Sequence, residues 1–235
     1  MSDSVAVPLE IATLADGPQA VAAWLAAHPV AGLHCGSGVN LQAGWLNTDA
    51  MQLVGSNGAV SAPGRLCRVG ADRYYLQHDA AQPFPLPDGS LRWIYSEHFI
   101  EHLPWPEGLR WLAEMRRLLR SGGTIRISTP DLARYIAGYL DPEQTLFQAQ
   151  HRYLTEHGSR NVPTRRSFMF NQLFFYWGHC WIYDFDELTH ALRQAGFPAG
   201  GIVRRAFREG GDPALAALDQ AMRQQESLYV EAGRD

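Results

Sequence analysis

Glycines and a carboxylate stand at a spacing that suits a nucleotide-type ligand. An apolar segment ends at Leu33 and leads into Gly36-Ser37-Gly38, and a second apolar segment, Trp45-Leu46, is soon followed by Asp49. Glycine has no Cβ, so backbone can approach a ligand closely, and a carboxylate after the second strand can accept hydrogen bonds from ribose hydroxyls. The pattern therefore predicts a ligand site at the ends of neighbouring strands in an open α/β sheet.

A second chemical pattern, H-x-x-E-H, stands at His98, Glu101 and His102. It is the motif of inverted zinc proteases, in which two histidines on one helix face chelate zinc. A catalytic zinc needs a third ligand, and the sequence designates none. We therefore predict no metal site and expect Glu101 and His102 to pack or pair within a helix. A zinc-dependent hydrolase is the alternative interpretation of this motif.

His98 and His179 are the candidate catalytic residues. An imidazole titrates near neutral pH, so a histidine just after a strand end can serve as a general base. The alternative for His98 is a histidine at a helix start that is bonded to backbone. His179 lies with Tyr183 and Asp184 in the aromatic stretch 167–185. Most of that stretch is predicted to cover the core, and these polar side chains are the ones that could reach a substrate.

Composition and charge narrow the class of protein. With 235 residues and 46% hydrophobic content, the chain fits one globular domain. The net charge of −4 does not favour binding to nucleic acid. No apolar run reaches the ~20 residues that span a bilayer. The chain contains no lysine, which excludes Schiff-base chemistry and P-loop kinases. Few, widely spaced cysteines and a start without a signal-peptide pattern lead us to expect a cytoplasmic protein without disulfides.

Strand and helix signals alternate along most of the chain, which predicts a doubly wound, largely parallel sheet. Ligands of such sheets lie at the carboxyl ends of the strands. The predicted strands are 30–34, 45–49, 73–79, 91–96, 124–129, 201–206 and 227–232; the predicted helices are 18–28, 97–103 (interrupted by prolines), 107–120, 131–139, 185–195 and one near 213–224; and 55–70 is predicted to be a surface loop or small hairpin.

Several motifs follow one another in a definite order along the chain. They are Gly36-Ser37-Gly38, Asp49, Asp79, PLPDGSLRWIYSEHFIEHL (85–103), LLRSGGTIRISTPDL (118–132) and YDFDELTHALRQAGF (183–197). Together they resemble a class I S-adenosylmethionine-dependent methyltransferase, and above all the small type 11 branch of predicted methyltransferases. The resemblance extends from about Leu33 to the end, where SLYVEA is similar to that branch's last, antiparallel strand.

The resemblance implies a fold and a cofactor. The fold is a Rossmann-like, doubly wound and mostly parallel seven-stranded sheet with an antiparallel last strand, and the cofactor is S-adenosyl-L-methionine. The glycine turn would approach its methionine part, Asp49 its ribose, Asp79 and Ala80 its adenine, and the end of the fourth strand its methyl group. The residues assigned to the cofactor are His34, Cys35, Gly36, Ser37, Gly38, Asp49, Asp79, Ala80, Ser96 and Glu97.

Two positions depart from the pattern. His34 stands where the wider superfamily usually has an acid, which leaves open how the ammonium group of the cofactor is held. Leu41 stands where the third glycine of G-x-G-x-x-G would be, which counts against an NAD-binding enzyme. Residues 141 to 180 also interrupt the strand–helix alternation, and we predict a single domain over 1–235 in which this segment is an insertion covering the substrate.

The function implied is methyl transfer from S-adenosylmethionine to an oxygen, nitrogen or carbon nucleophile of a small molecule. The protein would align the nucleophile with the methyl group and exclude water, and His98 would remove the proton of the nucleophile. A non-catalytic cofactor-binding protein is a further alternative. The expected partner is the acceptor molecule, with no nucleic acid and no membrane; the oligomeric state is left open, a homodimer being one option.

Overall fold

The computed structural model describes residues 4–159 and 162–235. Strands and helices alternate through most of this length, as predicted. The strands are β1 (Ser4–Ala6), β2 (Ile11–Asp16), β3 (Leu33–Cys35), β4 (Leu46–Asp49), β5 (Gln52–Val54), β6 (Arg65–Val69), β7 (Arg73–Gln77), β8 (Leu91–Glu97), β9 (Leu119–Pro130), β10 (Ile202–Arg205) and β11 (Ser227–Gly233). The helices are α1 (Pro18–Ala27), α2 (Trp105–Leu118), α3 (Leu132–Leu140), α4 (Thr145–Glu156), α5 (Arg166–Phe175), α6 (Phe185–Gln194) and α7 (Pro213–Ala216).

The main sheet has the strand order β10-β11-β9-β8-β3-β4-β7-β6-β2. Its five central strands, from β9 to β7, run parallel to one another. The last strand, β11, is antiparallel to both of its neighbours, as predicted. The carboxyl ends of β3, β4 and β8 therefore meet at one edge of the sheet, where ligands of such folds bind.

The main sheet has nine strands, so the predicted number of seven was wrong. The additional strands, β6 and β2, extend one edge in antiparallel fashion beyond β7. β6 lies in the stretch predicted to be a loop or hairpin, because the glycines and serines around it mask a strand of only five residues. β2 is mostly exposed on both faces, so it lacks the alternation of apolar residues that marks a half-buried strand.

The main core lies between one face of the sheet and helices α1, α2 and α6. α2 is strongly amphipathic and buries Trp111, Leu112, Met115 and Leu118 against the strands. Apolar side chains from the other sheet face form separate, smaller clusters, one of which packs under the short β1–β5 sheet. No described helix is long and apolar enough to cross a membrane.

The segment 141–180 forms two helices where the sequence showed little periodicity. α4 and α5 pack on α3 and share a small core of their own, built on Tyr135, Phe147, Met169 and Leu173. Residues 160–161 of this segment lie outside the described part of the chain. The helices stand above the carboxyl ends of β8 and β9, because α3 leaves the sheet directly after β9.

Candidate active site

Both glycines of the turn after β3 have backbone conformations that favour glycine. Gly36 has a φ of 66°, and a Cβ there would lie 2.5 Å from the ring of Phe99, so no other residue fits without displacing that ring. Gly38 also has a positive φ, of 50°, but a Cβ there would meet nothing within 4 Å. Protein atoms therefore fill the space beside Gly36, whereas the space beside Gly38 is open and could take a ligand.

Asp49 ends β4 and is fixed beside this turn. Its Oδ2 accepts a hydrogen bond from the backbone N–H of Gly38 at 2.9 Å, and its Oδ1 accepts one from Met51 at 3.0 Å. A carboxylate has about four acceptor positions, so both oxygens retain capacity for ligand hydroxyls. The predicted pair of glycine turn and carboxylate is thus in direct contact in the folded chain.

Ser37, Ser96 and Cys35 surround the base of the turn. The N–H of Ser37 donates to Thr48 at 3.1 Å, which ties the turn to β4. Ser96 lies opposite Cys35 in the β3–β8 register, and its buried Oγ has no hydrogen-bond partner in the described structure. Burial raises the pKa of the Cys35 thiol to about 12, which excludes it as a nucleophile and leaves it a packing residue. The unpartnered hydroxyl of Ser96 is one polar group that could bind a ligand here.

Two of the predicted cofactor residues turn to partners within the protein. His34 is buried with Nδ1 3.3 Å from Oδ1 of Asn47, and burial lowers its pKa to about 4. Glu97 accepts hydrogen bonds from the backbone N–H and Nε2 of Gln220, at 3.0 and 2.6 Å, and burial raises its pKa. Neither side chain is free in this conformation, so a cofactor contact through either one stays a prediction.

Asp79 and Ala80 follow β7 at the same edge of the sheet. Asp79 is exposed and accepts a hydrogen bond from the N–H of Ala81 at 2.9 Å, which shapes the loop. Ala80 is half-buried and packs on the main core. The structure thus places these residues on the edge that also carries the glycine turn and Asp49.

A cavity of about 510 Å³ opens at the carboxyl ends of β8 and β9. Its walls come from the segments after those strands, from α3, α4 and α5, and from the segment before β11. Both candidate catalytic histidines face it. The lining residues are His98, Glu101, His102, Pro130, Tyr135, Gln150, Tyr153, Leu154, His157, Ser159, Met169, Gln172, Leu173, Trp177, His179, Arg223 and Glu226.

His98 has an unusual backbone and a defined side-chain orientation. Its φ is 48°, a left-handed conformation that non-glycine residues rarely adopt, and its N–H donates to Ser128 at 2.9 Å. The Ser227 hydroxyl donates to the carbonyl of Arg223 at 2.7 Å, so it accepts from Nε2 of His98, also at 2.7 Å. This network assigns the proton to Nε2 and leaves Nδ1 as the acceptor atom. Burial lowers the pKa of His98 well below its usual value, which keeps the ring neutral.

Glu101 is fully buried at the floor of the cavity. Its Oε2 accepts a hydrogen bond from Oγ1 of Thr129 at 3.0 Å. Its Oε1 lies 3.4 Å from Nδ1 of His98 and lacks a hydrogen bond in the described residues. Burial raises the pKa of this carboxyl to about 8. Glu101 is therefore mostly protonated at neutral pH unless a cation lies beside it.

The rings of His102 and His179 pack against each other at the cavity. Their ring centroids are 5.0 Å apart in an edge-to-face arrangement, and Nδ1 of His179 donates to the carbonyl of Leu173 at 2.7 Å. Burial lowers the pKa of both rings. For His102 a hydrogen bond to the backbone of Gly178 and the Asp49 carboxylate oppose that shift.

The predicted helix over the H-x-x-E-H motif does not form. Residues Ile100–His102 make a single 3-10 turn, and His98 lies outside it in its left-handed conformation. His98 and His102 are therefore not one helical turn apart on a common face. Asp184 is also displaced from its predicted role: it caps α6 by accepting from the N–H of Glu187 at 2.9 Å and does not line the cavity.

Several polar residues of the cavity had no signal in the sequence. Glu226 accepts hydrogen bonds from Oη of Tyr135 at 2.7 Å and from Nε2 of Gln150 at 2.9 Å, and Arg223 pairs with it at 3.2 Å. These side chains come from α3, α4 and the segment before β11. Because they are far apart in the chain and belong to no motif, only the fold brings them together.

The described fold is that of a class I S-adenosylmethionine-dependent methyltransferase, whose cofactor is S-adenosyl-L-methionine. The chain belongs to the family described as a methyltransferase domain, whose profile matches residues 35–199. No curated protein matches the chain significantly. The open space at Gly38, the free acceptor positions of Asp49 and the unpartnered hydroxyl of Ser96 fit the polar groups of that cofactor.

The solved structures that match the chain are remote in sequence. A methyltransferase from Archaeoglobus fulgidus is 13% identical and aligns over 93% of this chain and 95% of its own, with a TM-score of 0.43. Magnesium protoporphyrin IX methyltransferase from Synechocystis is 15% identical and aligns over 93% and 82%, also with a TM-score of 0.43. PigF is 14% identical with a TM-score of 0.37, and the match covers 68% of this chain but only 35% of PigF.

Proposed function

We propose that the enzyme methylates a hydroxyl oxygen of a small molecule that binds in the 510 Å³ cavity. The observation that carries this proposal is the polar lining of the cavity beside the glycine turn. Its neutral histidines can accept a proton, and Arg223 and Glu226 can hydrogen-bond further polar groups of an acceptor. A hydroxyl needs such a base, because it is a weak nucleophile while it retains its proton.

The cofactor would be held by the edge of the sheet described above. The backbone at Gly36 and Gly38 would contact its methionine part, Asp49 its ribose hydroxyls, and the Asp79–Ala80 segment its adenine. When bound, the cofactor supplies an electrophilic methyl group on sulfur. The hydroxyl of Ser96 would orient the methionine end, because it is a buried polar group at that edge without a partner among the described residues.

His98 would remove the proton of the acceptor hydroxyl through Nδ1. The bond from Nε2 to Ser227 fixes the ring, and Glu101 lies 3.4 Å from the atom that receives the proton. His179 is the second candidate for the base. Its Nδ1 donates to the carbonyl of Leu173, so its Nε2 carries the lone pair that could accept a proton. Proximity of the hydroxyl to the methyl group would supply much of the rate, because the protein mainly aligns the reacting atoms.

The segment 141–180 would cover the acceptor. α4 and α5 carry Gln150, Tyr153 and Met169 into the cavity wall, and Trp177 and His179 follow α5. Their packing on α3 gives this cover its own apolar core, so it can shield the reacting atoms from water without belonging to the sheet. We further propose that 1–235 act as one domain, because the last strand, β11, pairs within the main sheet.

The test combines binding and turnover on the full chain. Calorimetry is expected to give one binding event with S-adenosylmethionine or S-adenosylhomocysteine. Incubation with methyl-labelled S-adenosylmethionine and a panel of sugars, phenols and aliphatic alcohols is then expected to label at least one acceptor on oxygen. Binding with no labelled product from hydroxyl or amine compounds would support a non-catalytic cofactor-binding protein instead. Labelling of amines alone would overturn the choice of oxygen.

A further inference from the structure

Three potential metal ligands converge at one end of the cavity. Ligand atoms of Glu101, His102 and His179 all lie within 4.8 Å of one another. Glu101 is fully buried, and both histidines are half-buried, so the group faces the cavity and not open solvent. Two imidazoles and one carboxylate form a donor set that borderline divalent metals such as zinc, iron and manganese accept.

The unpartnered oxygen of Glu101 is a second, independent indication of a ligand. Its Oε1 is buried and receives no hydrogen bond from the described residues, while Thr129 satisfies only Oε2. A buried polar atom without a partner is unfavourable, because it has lost its hydration and gained no hydrogen bond. Nδ1 of His98 lies 3.4 Å from this oxygen and carries a lone pair in the tautomer assigned above. Either a proton on Oε1 or a metal cation beside it would satisfy these two facing acceptors, and the two nearby imidazoles favour the cation.

The orientation of His179 is also that of a metal ligand. Its Nδ1 donates to the carbonyl of Leu173 at 2.7 Å, which fixes the ring and leaves the lone pair of Nε2 free. Metal-bound histidines usually donate their other ring N–H to a carbonyl or carboxylate in this way. The edge-to-face contact with His102 holds the second imidazole beside it.

We propose that Glu101, His102 and His179 bind a divalent transition-metal ion whose remaining positions face the acceptor cavity. Three protein ligands with open positions are typical of catalytic and not of structural metal sites. This ligand set differs from that of the H-x-x-E-H motif, in which His98 and His102 would chelate zinc from one face of a helix. The left-handed backbone at His98 and the 3-10 turn put His179 in the place of that histidine.

The role of the ion rests on the proposed function, whereas its binding does not. The acceptor hydroxyl would occupy an open position, where the charge of the ion favours loss of its proton. The O–H proton then passes to Nδ1 of His98, the new O–CH₃ bond forms, and the S–CH₃ bond of the sulfonium breaks to give the neutral thioether. Arg223 and Glu226 lie on the same cavity wall and would hold the rest of the acceptor.

The test uses the full chain after removal of metals with a chelator. Titration with Co²⁺ is expected to give one equivalent of bound ion with the visible absorption of a nitrogen- and oxygen-ligated site, and Zn²⁺ is expected to displace it. Mg²⁺ alone is expected not to compete. Glu101→Gln and His179→Gln are expected to weaken Co²⁺ binding at least about tenfold, by analogy with the 10–100-fold effects seen around metal sites. His28→Gln, on an exposed helix end, is the matched control and is expected to bind like the wild type.

Folding of each variant is checked by circular dichroism and by binding of S-adenosylhomocysteine. His179→Gln alters a half-buried residue, so it tests the site even where the buried Glu101 variant does not fold. No stoichiometric Co²⁺ binding, or unchanged binding in a folded His179→Gln variant, would overturn the metal site. Methyl transfer that survives complete metal removal would overturn its role in the reaction. Stoichiometric binding without methylation of any acceptor would support the site and contradict the proposed function instead.

Discussion

The two halves of the candidate active site are built in opposite ways. The cofactor half lies within residues 33–54 and a few strand ends, and its key contact joins Gly38 to Asp49, eleven positions apart. The acceptor half joins groups from several distant segments; the bond from His98 to Ser227, for example, spans 129 positions. One half is local in the sequence, and the other exists only in the folded molecule.

The two halves also differ in how they treat charge. Asp49 and Asp79 are open to solvent or ligand and accept hydrogen bonds from backbone N–H groups. In the acceptor half, burial raises the pKa of Glu101 to about 8 and lowers the pKa of the neighbouring histidines. The cofactor half is therefore suited to binding a polar ligand, and the acceptor half to holding and moving protons. Variants in each half should separate these two properties.

The largest expected effect is on turnover and comes from the acceptor half. His98→Ala is expected to lower the rate of methyl transfer ~10²–10⁴-fold, the usual contribution of a positioned base. Its affinity for S-adenosylmethionine should stay within a few-fold of the wild type, because His98 bonds to Ser227 and not to the glycine turn. Steady-state kinetics and calorimetry on the same preparation measure both quantities. His28→Ala is the control for loss of an imidazole. Wild-type turnover in a folded His98→Ala variant would assign His98 a structural role.

A smaller effect is expected in the cofactor half. Asp49→Ala is expected to weaken S-adenosylmethionine binding by ~1.5–3 kcal/mol, the scale for hydrogen bonds to a charged group. That loss corresponds to about 10- to 150-fold in affinity. Asp72→Ala removes an exposed carboxylate outside the site and serves as the control. Calorimetry that gives equal affinities for Asp49→Ala and the control would exclude Asp49 from the cofactor site.

The last expected effect is a gradual change of stability with pH, and it arises at His34. In the folded protein, burial lowers the pKa of His34 from its ordinary value of about 6.5 to about 4. Between pH 4 and pH 6.5, the imidazole of His34 is therefore protonated mainly in the unfolded chain. The free energy of unfolding should therefore fall as pH falls from 6.5 toward 4, with up to ~1.4 kcal/mol per pH unit due to His34. Denaturant titrations at several pH values should show that the free energy of unfolding of His34→Gln changes less steeply with pH than that of the wild type. Parallel curves would show that His34 is not buried as a neutral ring.

The sequence predicted those parts of the fold that depend on local pattern. The amphipathic α2, most of the parallel central strands and the antiparallel β11 were predicted close to their observed bounds, whereas β9 begins at Leu119, five residues before its predicted start. The edge strands β2 and β6 were not, since exposed faces and neighbouring glycines remove the periodic signal. Pairing at the edge of a sheet is decided by the neighbouring strand, which no local pattern records.

The same distinction applies to the site. The contact between Gly38 and Asp49 follows from spacing alone, because the ends of adjacent parallel strands lie side by side. The cluster of Glu101, His102 and His179 could not be predicted, since it depends on a 3-10 turn and on the path of α5. Arg223 and Glu226 belong to no motif and reach the cavity only because β11 follows them into the sheet.

The position of β11 between β9 and β10 has a consequence for folding kinetics. β10 is made earlier in the chain, yet it joins the sheet by pairing with β11. β10 can therefore take its place in the main sheet only together with β11, and the docking of β11 on β9 is a contact of long sequence separation that carries a large loop-closure cost. Ser227, which orients His98, belongs to β11. The half of the site that would move protons thus depends on a contact with a high loop-closure cost, whereas Gly38 and Asp49 need only a short loop to meet.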